Sequence, residues 1–319
     1  MADSPERRIT RTPLLFWASV VCAAVLVLVP AWMLAGNPAV LRGHPLLPSL
    51  LVTAAVVGLL WGLLLWRRRR ALRPRSVVRT VGAWLGRVAV LALVAMLFWL
   101  NPFAYQPAAD QASGPASSFS ITEDPTSIVL TPEASEVSTG LVFYPGARVE
   151  ARAYVDLLKP AADAGFLVVI LKEPLNLSLL DGDQARSAMA AHPAITTWAV
   201  GGHSLGGVSA SSFALGNADV DGLLLYASYP LESLRERAGL MVESISGTED
   251  GLSTPAKIEA SRDLLPGDTR FVAVQGGNHA FFGNYGAQPG DGQPGVDRSV
   301  AQAQIAAATV EFLQQLKAP

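Results

Sequence analysis

The run Gly201-Gly202-His203-Ser204-Leu205-Gly206-Gly207 follows the apolar stretch Ile195 to Val200 and leads into a second stretch of small residues. That order predicts a strand, a sharp turn and a helix, with the serine hydroxyl held at the apex as a nucleophile. The requirement is steric: a side chain held in a strained turn needs neighbours without bulk two positions to either side, here Gly202 and Gly206. A serine hydroxyl is a poor nucleophile at neutral pH, so Ser204 needs a base within hydrogen-bond reach, and histidine is the usual one. The chain has four histidines. His44 falls between two long apolar segments, and His192 lies in the turn before the nucleophile strand. His203 adjoins Ser204, where the turn directs neighbouring side chains apart. His279 remains, in the loop Gly276-Gly277-Asn278-His279 just after the strand expected at Phe271 to Gln275.

An acid must accept from the imidazole and stabilise its charged form. The strand expected at Met241 to Ser246 is followed by Gly247-Thr248-Glu249-Asp250-Gly251, which offers Asp250, with the adjacent Glu249 as its rival. The order serine, acid, histidine, each after its own strand, is that of a strand-ordered catalytic triad. The tetrahedral intermediate needs preorganised donors for its oxygen. The backbone N–H of Leu205, at the helix start, is one candidate. The second is the N–H of Ala147 in Phe143-Tyr144-Pro145-Gly146-Ala147, because Gly146 permits close backbone approach and Pro145 has no donor.

These residues occupy the C-terminal two thirds of a chain whose composition is split. Hydrophobic residues make up 50% and charged residues 16%, below the quarter or so of a typical soluble domain. The apolar excess sits in three segments of residues 1–105: 14–34, 46–66 and 81–103, each long enough to cross a bilayer as a helix. Trp17, Trp66, Trp84 and Trp99 lie near their ends, and Arg87 within the third must snorkel or face a partner helix. A cleaved signal peptide fits the first segment less well, since it is longer than a signal core and no Ala-x-Ala site follows. Arg67, Arg68, Arg69, Arg70, Arg73, Arg75 and Arg79 crowd the connection between the second and third segments, whereas the first connection carries only Arg42. The positive-inside rule then places that loop and the N-terminus in the cytoplasm and everything after the third span outside it; with only two spans the domain would return to the cytoplasm. A nucleic-acid patch is not expected beside such segments in a chain of formal net charge −2. The single cysteine, Cys22, excludes an intrachain disulfide.

Residues 106–120 have linker composition, rich in Pro, Ala, Ser, Gly and Gln. In 121–319, strands are expected at Ile128 to Leu130, Leu141 to Tyr144, Phe166 to Leu171, Ile195 to Val200, Leu223 to Tyr226, Met241 to Ser246 and Phe271 to Gln275. Helices are expected at Glu150 to Ala164, Asp183 to Ala191, Leu205 to Leu215, Pro255 to Leu264 and Arg298 to Lys317. Strand then helix, repeated, implies an α/β domain with a mainly parallel sheet covered on both faces. The short connection from Tyr226 to Leu240 leaves room for only a small cap. Leu175, Leu177, Leu179, Phe281 and Phe282 are candidates for an acyl pocket or for core packing.

From about Ser127 to Leu316 the chain resembles the alpha/beta-hydrolase superfamily, in particular its compact esterase or dienelactone-hydrolase-like branch. The resemblance rests on Tyr144-Pro145-Gly146-Ala147, the segment Gly201 to Gly207, Gly247-Thr248-Glu249-Asp250 and Gly277-Asn278-His279-Ala280. It implies a triad of Ser204, Asp250 and His279, no metal or organic cofactor, and a small-molecule or lipid ester as substrate. The segment Phe282-Gly283-Asn284-Tyr285-Gly286 through Gly290-Asp291-Gly292 also looks like a family feature. Two departures stand out: many relatives lack membrane spans, and the usual histidine-glycine start of the oxyanion loop is here Tyr144-Pro145-Gly146. The function expected is a membrane-anchored serine hydrolase forming an acyl-enzyme on Ser204. The alternatives are an acyltransferase using the same triad on lipid or cell-wall acceptors, and a catalytically silent membrane scaffold.

Overall fold

The computed structural model describes residues 13–67, 77–107, 118–133 and 136–317. Most of the arginine-rich connection and most of the expected linker lie outside the described residues. The chain divides into two compact units, one of Met1–Val40 with Leu46–Asn101, the other of Leu41–Pro45 with Pro102–Pro319.

The first unit holds three long helices, α1 (Pro13–Gly36), α3 (Leu46–Arg67) and α4 (Val77–Trp99); the single turn α2 (Ala39–Arg42) lies between the first two. Each of the three is long and apolar enough to cross a membrane, with mean hydropathies of 2.5, 2.2 and 2.1 over their best windows. The third begins and ends about four residues earlier than the expected 81–103. Pro102 disfavours helical backbone at Asn101, so the helix stops at Trp99 and Trp84 falls inside the span instead of at its end. Gly58 lets α1 and α3 approach closely: a Cβ there would sit 2.8 Å from Leu26 Cβ and 2.9 Å from the Ala23 carbonyl. Arg87 faces its partner helices. Its guanidinium donates to the Ala83 carbonyl and the Ser19 hydroxyl of α1, and lies 5.9 Å from the Trp61 ring of α3, which satisfies a charge that would be costly among lipid tails.

The second unit is built on an eight-stranded sheet of order β1-β2-β4-β3-β5-β6-β7-β8. β1 (Phe119–Glu123) and β2 (Ser127–Pro132) form an antiparallel edge, and β2 pairs antiparallel with β4 (Leu167–Leu171). The remaining pairs, through β3 (Thr139–Tyr144), β5 (Thr197–His203), β6 (Gly222–Tyr226), β7 (Met241–Gly247) and β8 (Arg270–Val274), are all parallel. Successive side chains of β3 go to opposite faces: Leu141 and Phe143 join one core with Leu157, Ile305 and Phe312, while Val142 and Tyr144 join the other with Ala185, Ala210 and Phe213. The first core is closed by α5 (Val155–Asp163) and α9 (Arg298–Lys317), the second by α6 (Gln184–Ala190) and α7 (Leu205–Gly216). Burial on both faces is why β3, β4 and β6 read as apolar runs. Two helices expected as single pieces are each part 3₁₀: Ala151–Tyr154 precedes α5, and Ser261–Leu264 follows α8 (Pro255–Ala260). Between Ala227 and Leu240 the described residues form no helix or strand.

One core carboxyl works against the fold. Glu243 of β7 is 1% exposed, its Oε1 has no hydrogen-bond partner, and Arg270 lies 3.6 Å from its Oε2. Burial raises its pKa to about 7, with Arg270 opposing. In the unfolded chain it ionises in the usual carboxylate range, so the penalty is absent in acid, grows as the pH rises towards 7, and then levels off. Glu243→Gln is therefore expected to melt above the wild type at pH 8 and with it near pH 4. A Tm difference that does not change with pH would contradict this.

Candidate active site

Ser204 joins β5 to α7 with φ 53° and ψ −120°, a conformation that costs energy in any residue with a Cβ. It is held there by its N–H, which donates to the Tyr226 carbonyl at 3.0 Å, and by its own carbonyl, which accepts from Ser228 Oγ at 2.7 Å. The glycines around it are sterically required. A Cβ on Gly202 would lie 2.7 Å from Gly207 N and closer still to the Gly206 carbonyl, and one on Gly206 would overlap the Tyr144 and Pro145 carbonyl oxygens. That second contact presses the first turn of α7 onto the loop after β3.

The loop amides have distinct assignments. Gly146 N–H donates to the Tyr154 hydroxyl at 2.8 Å and Arg148 N–H to the Asn176 carbonyl at 2.7 Å. Neither Ala147 N–H nor Leu205 N–H has a hydrogen-bond partner among the described residues. Two donors without partners among the described residues therefore lie in the loop after β3 and at the start of α7, which meet at Gly206.

In the loops after β7 and β8, His279 Nδ1 meets Asp250 Oδ2 at 2.8 Å, with both side chains inaccessible to solvent. Asp250 Oδ1 accepts from the N–H groups of Leu252 at 2.8 Å and Ser253 at 2.7 Å, which fixes the carboxylate in its turn. In a neutral imidazole that donates from Nδ1 to this carboxylate the lone pair is on Nε2, and Nε2 has no hydrogen-bond partner among the described residues. The rival Glu249 is exposed and takes no part in this pairing. Ser204 Oγ makes no hydrogen bond to His279 Nε2 among the described contacts. The structure therefore brings the acid and the imidazole into direct contact and leaves the serine unbonded to them.

Two residues at this site were not expected from the sequence. Asp291 holds the acid and histidine loops together: its Oδ1 accepts from His279 N–H at 3.1 Å and Gly251 N–H at 3.2 Å, and its Oδ2 from Ala280 N–H at 2.9 Å. The Gly290-Asp291-Gly292 segment thus acquires a mechanism. Hydrogen bonds to a charged acceptor contribute about 1.5–3 kcal/mol each, so Asp291→Ala is expected to lower Tm and to cut kcat for any reaction using His279 by about tenfold to a hundredfold through misplacement of the imidazole. Steady-state kinetics on a chromogenic ester checks it, and an unchanged kcat would contradict it. The second is His203, whose ring packs on that of His279, centroids 4.5 Å apart. Of the apolar candidates, Phe281 and Phe282 belong to the core, Leu175 and Leu177 are half-buried, and Leu179 is 63% exposed.

A nucleophile elbow between the central parallel strand β5 and a helix, with an aspartate after β7 and a histidine after β8, defines a protein of the alpha/beta-hydrolase class. The family model described as alpha/beta hydrolase family matches residues 140–303, and the chain belongs to that family. The matched segment contains Ala147, Ser204, Asp250 and His279 and excludes the three apolar helices. No curated protein matches the chain.

Proposed function

We propose that the protein is a membrane-anchored serine hydrolase that cleaves carboxylic esters through an acyl-enzyme on Ser204. In this reading His279 Nε2 takes the proton from Ser204 Oγ as it attacks the acyl carbon, and the N–H groups of Ala147 and Leu205 receive the oxyanion. Collapse of the intermediate expels the alcohol, which leaves with the proton carried by His279. Water, activated by the same nitrogen, then releases the acid. No step calls on a metal or organic cofactor.

The observation that supports this most is the buried Asp250–His279 pair at 2.8 Å, whose second imidazole nitrogen is unpaired, beside a serine held at positive φ. The reading requires Ser204 Oγ to reach Nε2 in the substrate complex, and catalytic hydrogen bonds commonly tighten only there. A fluorophosphonate probe tests it: the wild type is labelled and Ser204→Ala is not, while equal labelling of both would remove the assignment.

In this reading the three apolar helices are the membrane anchor, and the positive-inside rule applied to the arginines between the second and third supports a hydrolase unit outside the cytoplasm. Protease added to intact cells is expected to degrade this unit. Protection until the cells are lysed would reverse the orientation.

A further inference from the structure

The reading of Ser204, His279 and Ala147 as nucleophile, base and oxyanion donor leaves a buried polar pair unexplained. Tyr154 ends the 3₁₀ turn Ala151–Tyr154 and is fully buried against Phe143, with ring centroids 5.1 Å apart. A phenylalanine would fill that space equally well, so the hydroxyl has to be accounted for by its bonds. It accepts from Gly146 N–H at 2.8 Å and lies 2.9 Å from His203 Nδ1. Gly146 N–H can only donate, and the tyrosine proton has no acceptor besides His203 Nδ1 among the described contacts. The chain therefore runs in one direction, from Gly146 N–H to the Tyr154 hydroxyl and from Tyr154 O–H to His203 Nδ1.

With the tyrosine as donor, His203 carries its own proton on Nε2, a buried nitrogen without a hydrogen-bond partner among the described residues. The ring is completely buried, stacked against Phe282 at 5.9 Å and 11°, and 4.5 Å from the His279 ring. Burial, reinforced by repulsion from His279, drives its pKa well below the usual histidine range, while the His279 backbone carbonyl, which faces it, opposes. The oxyanion loop also touches the ring directly: a Cβ on Gly146 would lie 2.7 Å from His203 Nδ1. On one side the imidazole meets the loop that carries Ala147, and on the other it meets the base.

We propose that Tyr154 and His203 are positioning residues, a buried hydrogen-bonded chain that sets the Ala147 loop relative to the His279 imidazole. This rests on the triad reading, and it adds that oxyanion donor and base are placed by one shared element. Neither residue touches the reacting atoms, so removing the chain should impair the transition state and leave ground-state binding intact.

The test uses the full chain in detergent, a chromogenic ester and separate measurement of kcat and KM, with Tm and fluorophosphonate labelling recorded for each variant. Tyr154→Phe is expected to lower kcat about tenfold to a hundredfold with KM nearly unchanged, the loss typical of a loop misplaced by about 1 Å. His203→Leu should lose as much, and the double variant no more than the worse single one, because a chain broken once is already broken. His203→Asn keeps an acceptor near the place of Nδ1 and should recover most of the loss. A kcat for Tyr154→Phe within twofold of wild type, or losses that add in the double variant, would overturn the proposal. Should Tyr154→Phe fail to fold, His203→Asn against His203→Leu decides it, equal impairment counting against. A wild type that is neither labelled nor active would instead remove the triad reading, and this proposal with it.

Discussion

Replacing His279 by alanine is expected to lower kcat on a chromogenic ester by on the order of 10⁵-fold, with KM little changed. In the proposed mechanism the unpartnered Nε2 of His279 takes the serine proton as it moves, so the loss belongs to the transition state. Asp250→Asn should cost about 10⁴-fold while leaving the fold intact. The amide would present either an N–H or a carbonyl where His279 Nδ1–H now donates at 2.8 Å. If its N–H takes that place, the imidazole must turn over to the opposite tautomer and Nε2 ceases to be a base. Glu249→Gln, one residue earlier on an exposed side chain, should leave kcat within about twofold. A comparable loss at 249 and 250 would contradict the pairing.

The second large effect is steric. In Gly206→Ala the new methyl would overlap two backbone carbonyl oxygens, those of Tyr144 and Pro145, and backbone cannot rotate aside as a side chain can. Relief requires the first turn of α7 to move off the loop that carries Ala147. The expected result is a stability loss of about 4 kcal/mol or more, or, if the protein folds, a fall in kcat of about a hundredfold or more as the oxyanion donors separate. Gly216, at the far end of the same helix, has no atom within 4 Å of its Cβ position, so Gly216→Ala should be neutral or stabilising by about 0.5–1 kcal/mol. Thermal unfolding and kcat of the pair check the contrast, and similar behaviour of the two variants would contradict it.

What could be read from the sequence follows from which forces act locally. The central parallel strands β3, β4 and β6 announced themselves as apolar runs because both faces are buried, and α9 was legible at both its ends, Arg298 and Lys317. β1 was not: four of the five residues in Phe119–Glu123 are exposed, so an edge strand defined by its partner leaves no apolar pattern. Ser204, Asp250 and His279 could be picked out because an elbow and two strand ends constrain residue types within a few positions. Asp291 could not, since its acceptors serve N–H groups 12 and 40 residues away. His203 was set aside because turn geometry is expected to send its side chain away from that of Ser204, and local geometry says nothing about a ring arriving from the loop after β8. α4 lies about four residues earlier than expected because apolar length alone leaves a helix's register open, and Pro102 ends it.

The central claim is a covalent bond, so the direct measurement is mass spectrometry of the full-length protein quenched during turnover of an activated ester, followed by digestion. The account predicts one acyl group on the peptide that carries Ser204, absent in Ser204→Ala and retained longer where hydrolysis by water is slowed. Ester turnover by the wild type with no acyl adduct on that peptide, or an adduct on another residue that survives Ser204→Ala, would contradict it.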